Sequence, residues 1–327
     1  MCMGVVMLRK NFIPILILLF ICIFIVQPGT VSEGAFNGLK IWLVNIVPYL
    51  FPMSVLSNIL LQYNFLYALF ERTALVSEKT LKNKYALIPF FISFVSGYPS
   101  GAMTVSTMAG LKKVNDREAN YLTAFSNVCS FQFIAGAVSF SMLNDFRLFK
   151  YIAVPHFAGA LLLTALMKVP EPSAVSSKKM RLKYVSFHQA FSTAIYKSVS
   201  GILSVGGVIV IFSVFSNFLN HSLSSAAGML SLPPGIKDIA YSLLVGALEV
   251  TNGCSVIASS VVPLSIKLII INFLISFSGM SVMFQTVAVT NEFDFDMNGY
   301  IFYKFIQGII SVLICILLLS VLPIKIY

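Results

Sequence analysis

Two apolar stretches of the sequence contain polar, glycine-rich cores, and these cores hold the residue types that could do chemistry at membrane depth. Residues 96–102 read Ser-Gly-Tyr-Pro-Ser-Gly-Ala, and residues 246–253 read Gly-Ala-Leu-Glu-Val-Thr-Asn-Gly. Glycine permits sharp turns and proline, present in the first core, removes a backbone donor, so each core is predicted to interrupt a helix. Because hydrocarbon offers no hydrogen bonds, the freed backbone groups need a ligand or a polar neighbour. We therefore expect the two cores to bind a small polar molecule.

The first core is predicted to present backbone amides. Pro99 can start a new helix, which leaves the N–H groups of Ser100, Gly101 and Ala102 unpaired at its N-terminus. Helix N-termini attract anions, so a carboxylate or another ligand oxygen is a natural partner. The predicted substrate-binding residues of this core are Gly97, Tyr98, Pro99, Ser100 and Gly101. The alternative is a tight packing kink whose backbone groups are satisfied by a neighbouring helix.

The second core contains Glu249, a carboxylate in an otherwise apolar stretch well away from a loop. A charge at bilayer depth is costly, so such a residue usually faces a polar cavity and marks the path of an ion or a substrate. Glu249 is a candidate proton carrier, or it stays ionised beside a cation. We assign it to substrate binding and ion coupling, with Thr251, Asn252 and Gly253 as further binding residues. The alternative is a structural partner for another buried polar group.

A stretch with small or polar side chains follows each core. The first has Ser126, Asn127, Ser130 and Gln132, and the second has Ser276, Ser278, Gly279, Ser281 and Gln285. Close helix packing alone can explain the small side chains, but it does not require the side-chain amides of asparagine and glutamine. We therefore predict that Asn127, Ser130 and Gln132 line the binding cavity. His156, which follows Pro155 in an apolar segment, is either a proton relay or a hydrogen-bonded structural residue.

The composition predicts an all-α integral membrane protein. Of the 327 residues, 58% are apolar and 10% are charged, and the mean hydropathy is +0.90. Soluble domains carry about 25% charged residues. The net charge of +10 does not indicate a nucleic-acid partner, because the basic residues lie in short loops between apolar runs. The five cysteines are scattered and form no metal-ligand or disulfide pattern, so no metal and no cofactor are expected.

Seven apolar segments approach the length of about 20 residues that a membrane span needs. They are residues 12–27, 41–61, 119–143, 149–168, 199–220, 267–290 and 299–322. The interrupted stretches 86–110 and 238–262 are predicted to be re-entrant broken helices that enter and leave the membrane on one side. The chain then divides into an N-terminal transmembrane helix and loop (1–40), a first repeat (41–168), a cytoplasmic linker with an amphipathic segment (169–198) and a second repeat (199–322).

The distribution of basic residues supports this topology. With seven spans and a cytoplasmic N-terminus, 16 of the 22 Lys and Arg residues, Lys304 included, lie on the cytoplasmic side and 6 lie outside. An excess of basic residues is typical of cytoplasmic loops. The acidic segment 291–296 would also be cytoplasmic and fits poorly, although acidic residues contribute little to orientation.

The two halves of the chain resemble each other weakly but in the same order. Residues 54–60 match residues 213–219 at five of seven positions. Four further pairs share an offset of 149 residues: Gly97 with Gly246, Tyr151 with Tyr300, Ile152 with Ile301, and Gly159 with Gly308. Each repeat then contributes an odd number of crossings, so the second copy is predicted to be inverted relative to the first. Inverted repeats with broken helices near the midplane are typical of secondary transporters.

Three motifs, at residues 96–102, 123–127 and 246–253, resemble those of the nucleoside-recognition, or Gate-domain, membrane proteins. Within that family they are most similar to the sporulation integral membrane proteins of the YlbJ type, from about residue 40 to about residue 320. The resemblance implies a fold related to concentrative nucleoside transporters, with re-entrant hairpins that meet at the substrate site. For the sporulation branch it implies export of dipicolinate from the mother cell across the outer forespore membrane. As a departure, Met103 and Met108 supply no cation for an anionic ligand.

Together these features predict a transporter of a small polar or anionic organic solute, by resemblance dipicolinate, and not an enzyme. The expected partners are the solute and the lipid bilayer, and a homo-oligomer is possible. One alternative is a nucleoside or metal-ion permease, and another is a non-transporting membrane scaffold in spore formation. A further alternative is an intramembrane hydrolase with a Ser100–His156 dyad, although the sequence around Ser100 departs from the Gly-x-Ser-x-Gly motif.

Overall fold

The computed structural model describes residues 2–63, 69–70, 72–168, 185–227 and 233–322, and over these ranges the regular structure is entirely helical. The α-helices are α1 (Cys2–Val26), α2 (Pro28–Lys40), α3 (Val47–Gln62), α4 (Ala74–Leu81), α5 (Leu87–Ser96), α6 (Ser100–Gly110), α7 (Asp116–Ser126), α8 (Phe149–Leu166), α9 (Phe187–Ala227), α10 (Pro234–Leu248), α11 (Val250–Ser259), α12 (Leu264–Phe277), α13 (Gly279–Val289) and α14 (Met297–Val321). Wider π-helical turns occupy Ile41–Ile46 and Phe133–Met142. The predicted all-α class is confirmed for the described residues.

Four helical segments within the described residues are long and apolar enough to cross a membrane. They are Phe146–Leu166, Phe187–Leu219, Leu264–Val289 and Met297–Val321. A fifth candidate span results if the bent pair of α1 and α2 is counted as one. The predicted count of seven also included residues 41–61 and 119–143, whose apolar helices are shorter than a span. By length and composition alone, the described residues therefore contain four to five candidate spans, and the predicted count of seven is not confirmed.

The N-terminal region is helical on both sides of a sharp bend. Helices α1 and α2 meet at an angle of 101° around Gln27. Pro28 opens α2, a position where its missing N–H costs nothing because first-turn amides have no partner within the helix. The loop predicted within residues 1–40 is therefore wrong for residues 28–40, which form α2 and continue through Ile41–Ile46 into α3.

Helices α2 and α3 run antiparallel along the length of α9. At one end Asn217 Nδ2 donates to the carbonyl of Thr30 (3.0 Å), and at the other Gln62 Nε2 donates to the carbonyl of Ala190 (3.0 Å). Glycine makes the close approach of α2 possible. A Cβ atom on Gly34 would lie 2.8 Å from the Cα of Val214, and one on Gly38 would lie 2.8 Å from the Cα of Val210.

Helix α9 is longer than the span predicted at residues 199–220. It begins at Phe187, so the second part of the predicted linker 169–198 belongs to this helix. Residues 169–184 of that linker lie outside the described residues.

The two interrupted stretches each form a helical hairpin. In the first, α5 and α6 fold back so that Gly101 lies beside Ser93, and in the second, α10 and α11 fold back so that Gly253 contacts the backbone of Gly246. The four arms have 10 to 15 residues. At about 1.5 Å per residue, none reaches the roughly 30 Å that a hydrocarbon core measures.

Breaks also divide the two predicted spans that follow the hairpins. Helix α7 ends at Ser126, and the chain is irregular over residues 127–130 before it becomes helical again. Ser278, with a left-handed φ of 72°, separates α12 from α13. The predicted span 119–143 is therefore not one continuous helix, because a non-helical segment interrupts it. Residues 267–290 remain one candidate span with an internal break.

The acidic segment 291–296 packs against the start of α7. Asn120 donates to the carbonyl of Asp294 (2.7 Å) and accepts from the amide of Asp296 (2.8 Å). The side chain of Glu292 contacts the backbone at Gly110, the end of α6. The acidic segment therefore lies at the same end of the molecule as the basic turn of residues 111–113.

Candidate functional site at two helix breaks

The first hairpin turn is pressed against the break that follows α7. Gly97 has a φ of 82°, which favours glycine, and the Tyr98–Pro99 peptide bond is cis. A Cβ atom on Gly97 would lie 3.1 Å from the amide nitrogen of Ser130, and one on Gly101 would lie 2.9 Å from the carbonyl oxygen of Ser126. The structure thus brings the predicted binding residues of the first core into contact with the break at residues 127–130.

Side chains from two other helices hold the backbone of this break. The hydroxyl of Ser93 donates to the carbonyl of Val128 (2.8 Å) and accepts from the amide of the same residue (2.9 Å). The amide of Cys129 donates to Nε2 of His156 (3.0 Å). Most backbone groups freed by the break therefore have hydrogen-bond partners within the chain. This agrees with the alternative of a packing kink whose backbone groups are satisfied by neighbouring helices.

His156 is fully buried and links the break to the second half of the chain. Because Nε2 accepts from Cys129, the ring is neutral and carries its proton on Nδ1, which lies 2.8 Å from Oγ of Ser276. The hydroxyl of Ser276 donates to Ser311 (2.8 Å), which donates to the carbonyl of Pro155 (3.1 Å). Both ring nitrogens thus have partners other than Ser100, and the Ser100–His156 dyad of the hydrolase alternative is not formed.

Asn127 joins the two breaks. Its side-chain amide donates to Oγ1 of Thr286 on α13 (2.9 Å) and to the hydroxyl of Tyr300 on α14 (2.8 Å). The Tyr300 hydroxyl also interacts with the side chain of Ser278, the residue at the second break. The two breaks therefore meet around Tyr300, although they are far apart in sequence.

Lys304 lies at this meeting point and was missed as a site residue by the sequence analysis, which only counted it on the cytoplasmic side. It is 1% exposed, and its Nζ donates to the carbonyl of Asn127 (2.6 Å) and to Oε1 of Gln307 (2.8 Å). The missed signal is a polar stripe on α14, in which Tyr300, Lys304, Gln307 and Ser311 recur every three or four residues and are all buried.

Several buried polar atoms around Asn127 have no hydrogen-bond partner among the described residues. They are Ser96 Oγ, Ser100 Oγ, Thr123 Oγ1, Ser126 Oγ, Asn127 Oδ1 and Gln307 Nε2. They belong to the first hairpin, the end of α7 and the polar stripe of α14. Buried polar side chains are usually hydrogen-bonded, so a group of such atoms marks a place where a bound molecule could supply the partners.

The second hairpin turn is organised by Glu249. One of its carboxylate oxygens, Oε2, accepts from the amide of Asn252 (2.8 Å), so Glu249 caps the N-terminus of α11. This turn packs on the second break, because a Cβ atom on Gly279 would lie 2.6 Å from the carbonyl oxygen of Gly246. Tyr98 connects the two hairpins, since it packs against the hydrophobic cluster that contains Val250 and Cys254 of α11.

Two of the predicted binding residues lie elsewhere. Gln132 is exposed and does not join the buried cluster, because the break at residues 127–130 redirects the chain before it. Asn252 faces a separate cavity of about 330 Å³ between α2, α9 and the second hairpin. That cavity is lined by Asn37, Lys40, Ile41, Ser213, Ser216, Asn217, Val245, Asn252, Ser255 and Val256. Thr251 and Gly253 lie beside Asn252 in the first turn of α11.

Comparison with known proteins finds one informative similarity. The chain is 26% identical over 325 aligned residues to the sporulation integral membrane protein YlbJ of Bacillus subtilis (strain 168). The alignment covers 89% of this chain and 78% of that relative. No family model matches the sequence, and no solved structure matches it. The chain is thus similar along most of its length to an integral membrane protein of sporulation, which agrees with its apolar helices.

Proposed function

We propose that the chain is a multi-pass membrane transporter that carries a small polar or anionic organic solute through a site at the two hairpin turns and the two breaks. The observation that carries this proposal is the group of buried polar atoms without partners around Asn127. An unsatisfied buried polar atom costs about 1–3 kcal/mol. The oxygen atoms of a bound solute would accept hydrogen bonds from the serine and threonine hydroxyls and from Nε2 of Gln307, and release of the solute would free these donors for another one.

Equivalent contacts in the two halves support an inverted repeat. The first hairpin turn packs on the first break, Gly97 against Ser130, and the second packs on the second break, Gly246 against Gly279. The second arm of each hairpin also contacts the opposite half, since α6 contacts α13 and α11 contacts Phe133–Met142. Reciprocal contacts of this kind are expected from a two-fold relation between repeats, which many secondary transporters have.

The positions of the connecting segments support entry and exit of the first hairpin on one side. The hydroxyl of Tyr121 donates to the carbonyl of Leu81 (3.0 Å), which places the segment before the hairpin next to α7. The turn after the hairpin and the acidic segment 291–296 lie at the same end. In this proposal that end is cytoplasmic, in line with its basic residues, and the chain crosses the membrane seven times.

An anionic solute is favoured by the positive groups at the site. The N-terminus of α6 lies against Asn127, and the ammonium group of Lys304 contacts the carbonyl of the same residue. Helix N-termini and lysine both stabilise anions. The family resemblance and the similarity to YlbJ suggest a role in sporulation, and we propose dipicolinate export across the outer forespore membrane as the specific reaction. A nucleoside or metal-ion permease is the alternative within the same resemblance.

Glu249 is the proposed residue for ion coupling. Its carboxylate caps α11, so protonation would remove a negative charge from the positive end of that helix and weaken the second hairpin turn. Because Tyr98 of the first hairpin packs against the cluster that contains Val250 and Cys254 of α11, a change at the second turn would reach the solute site.

Uptake by the purified protein in lipid vesicles tests the proposed function. Dipicolinate, a nucleoside and a divalent cation are compared, each with and without a proton or sodium gradient. We expect protein-dependent flux of dipicolinate, weaker flux of the neutral nucleoside, and no loss of flux in a Gln132→Ala control, because Gln132 lies outside the cluster. Absence of flux for every solute, with folded protein in the vesicles, would reject transport and favour a scaffold.

A further inference from the structure

Lys304 is surrounded by groups that present negative partial charge to its ammonium. Its Nζ lies 2.6 Å from the carbonyl oxygen of Asn127 and 2.8 Å from Oε1 of Gln307. The ring of Tyr300 lies below it, with 5.7 Å between Nζ and the ring centroid. A carbonyl oxygen, an amide oxygen and an aromatic face all attract a cation.

No carboxylate balances this buried charge in the part of the chain that the structure describes. The ion pair found within those ranges joins Arg147 to Asp145, which lie on the surface and far from Lys304 in the sequence. The compensation comes instead from helix α7, because Asn127 caps its C-terminus and its carbonyl therefore lies at the negative end of the helix dipole.

The orientation of Gln307 agrees with a charged lysine. Its oxygen faces Nζ while its nitrogen, Nε2, has no partner among the described residues. A neutral amine carries a lone pair that could accept a hydrogen bond from Nε2, whereas an ammonium group only donates. The observed arrangement, in which Asn127 and Gln307 both accept from Nζ, is compatible with a cation.

A free carbonyl at the C-terminal end of an interrupted helix is also where secondary transporters coordinate a coupling Na⁺. We propose that the ammonium group of Lys304 is a tethered cation that occupies such a position at the end of α7, so that this chain needs no free coupling cation there. Removal of the side chain should leave a vacant site for a small monovalent cation, with the carbonyl of Asn127 and Oε1 of Gln307 as ligands. The consequence for coupling rests on the proposed transport function, but the cation site itself does not.

The test measures thermal stability of the purified full-length protein in detergent, in NaCl or in choline chloride at equal ionic strength. Lys304→Ala opens the site, Lys304→Ser opens it and adds an oxygen, and Lys304→Met fills it without charge. We expect the wild type and Lys304→Met to melt at the same temperature in both salts. Lys304→Ala and Lys304→Ser should melt roughly 3 °C or more higher in Na⁺ than in choline, with saturation.

Equal melting temperatures in Na⁺ and choline for both opened variants would overturn the proposal. Failure of both to fold even in Na⁺, while Lys304→Met folds, would also overturn it, because Na⁺ then cannot replace the ammonium group. If an organic anion stabilises the wild type but neither opened variant, and Na⁺ stabilises none, Lys304 contacts the solute and the tethered-cation role is wrong.

Vesicle flux then separates this inference from the proposed function. Wild-type flux should be unchanged when choline replaces Na⁺, whereas flux through Lys304→Ala should fall at least tenfold in choline and recover in Na⁺. If Na⁺ stabilises Lys304→Ala but neither the wild type nor the variant shows flux, the cation site is supported and transport is rejected. Flux through the wild type together with a Na⁺-insensitive Lys304→Ala would keep transport and reject the cation site.

Discussion

At the scale of single residues, the polar groups around Asn127 divide into those that the chain satisfies and those that it does not. Ser93 and His156 bind the backbone of the first break, and their roles are complete without a ligand. Ser100 and Ser126 are equally buried but have no partner among the described residues. This division determines which substitutions should affect stability and which should affect solute binding.

Substitution of Ser126 by alanine should have opposite effects on the empty and the loaded protein. Removing an unsatisfied buried hydroxyl should raise the stability of the empty protein by about 1 kcal/mol, while solute affinity falls because a hydrogen bond to the solute is lost. Chemical denaturation in detergent and equilibrium binding measure the two effects. A loss of stability in Ser126→Ala would show that the hydroxyl already has a hydrogen-bond partner. It would contradict the proposal that this hydroxyl binds the solute.

Substitution of His156 should act on stability rather than on solute binding. His156→Ala leaves the buried amide of Cys129 without an acceptor and should cost about 2–4 kcal/mol. His156→Gln should recover part of this loss, because a glutamine can accept from Cys129 and donate to Ser276. Unchanged thermal stability in His156→Ala, combined with abolished flux, would instead support a proton relay.

The residues of the first turn could be predicted from the sequence, but two others could not. Gly97 and Pro99 mark a turn by residue type alone, and the structure has the turn there. Lys304 was counted on the cytoplasmic side, since a lysine near a helix end usually reaches the membrane surface, and only the packing of α14 shows that it is buried. Gln132 was placed in the cavity because α7 was taken to continue past Asn127.

At the scale of helices and turns, the local residue types explain only some of the hairpins and breaks. Glycine and proline predicted the first hairpin, and the capping carboxylate of Glu249 explains where the second one turns. The break at Ser278 had no comparable signal, since a left-handed serine is unusual and is held by packing against the second hairpin. Helix α2, predicted as a loop, is rich in glycine and polar residues, and its contact with α9 overrides that weak helix propensity.

The packing of α2 on α9 predicts opposite effects for two glycine-to-alanine substitutions in the same helix. Gly38→Ala places a Cβ atom 2.8 Å from the Cα of Val210, so the backbones must separate and stability should fall by about 1–3 kcal/mol. A Cβ atom on Gly29 would have no neighbour within 4 Å, so Gly29→Ala should leave stability unchanged or raise it by up to about 1 kcal/mol. Denaturation of both variants in detergent checks this contrast, and equal losses would contradict the close contact.

At the scale of the whole molecule, the proposed inverted repeat makes a prediction about sidedness. Single cysteines replacing Lys84, Lys112 or Glu292 should be labelled from the cytoplasmic side, and those replacing Arg147 or Lys237 from the opposite side. The background carries serine at the exposed Cys22 and at Cys2, while the buried cysteines remain as internal controls. Labelling of Lys84→Cys and Lys112→Cys from opposite sides would exclude a re-entrant first hairpin.

The composition and the repeated motifs were sufficient to predict an all-α chain with two interrupted elements, but not how the halves meet. Asn127 reaches Thr286 and Tyr300 across 159 and 173 residues of sequence, and no local pattern encodes that contact. The proposed site therefore depends on tertiary packing that brings a break from each half to one place.

Equilibrium binding of radiolabelled dipicolinate to the purified protein tests the proposed solute site at the helix breaks most directly. The wild type is compared with the double variant Ser100→Ala/Ser126→Ala and with the exposed-site control Gln132→Ala, after thermal melting has shown that all three are folded. We expect equal affinity for the wild type and the control, and affinity lower by roughly tenfold or more for the double variant, because two hydrogen bonds of about 1 kcal/mol each are lost. Saturable binding with the same affinity in all three proteins would contradict a solute site at the helix breaks.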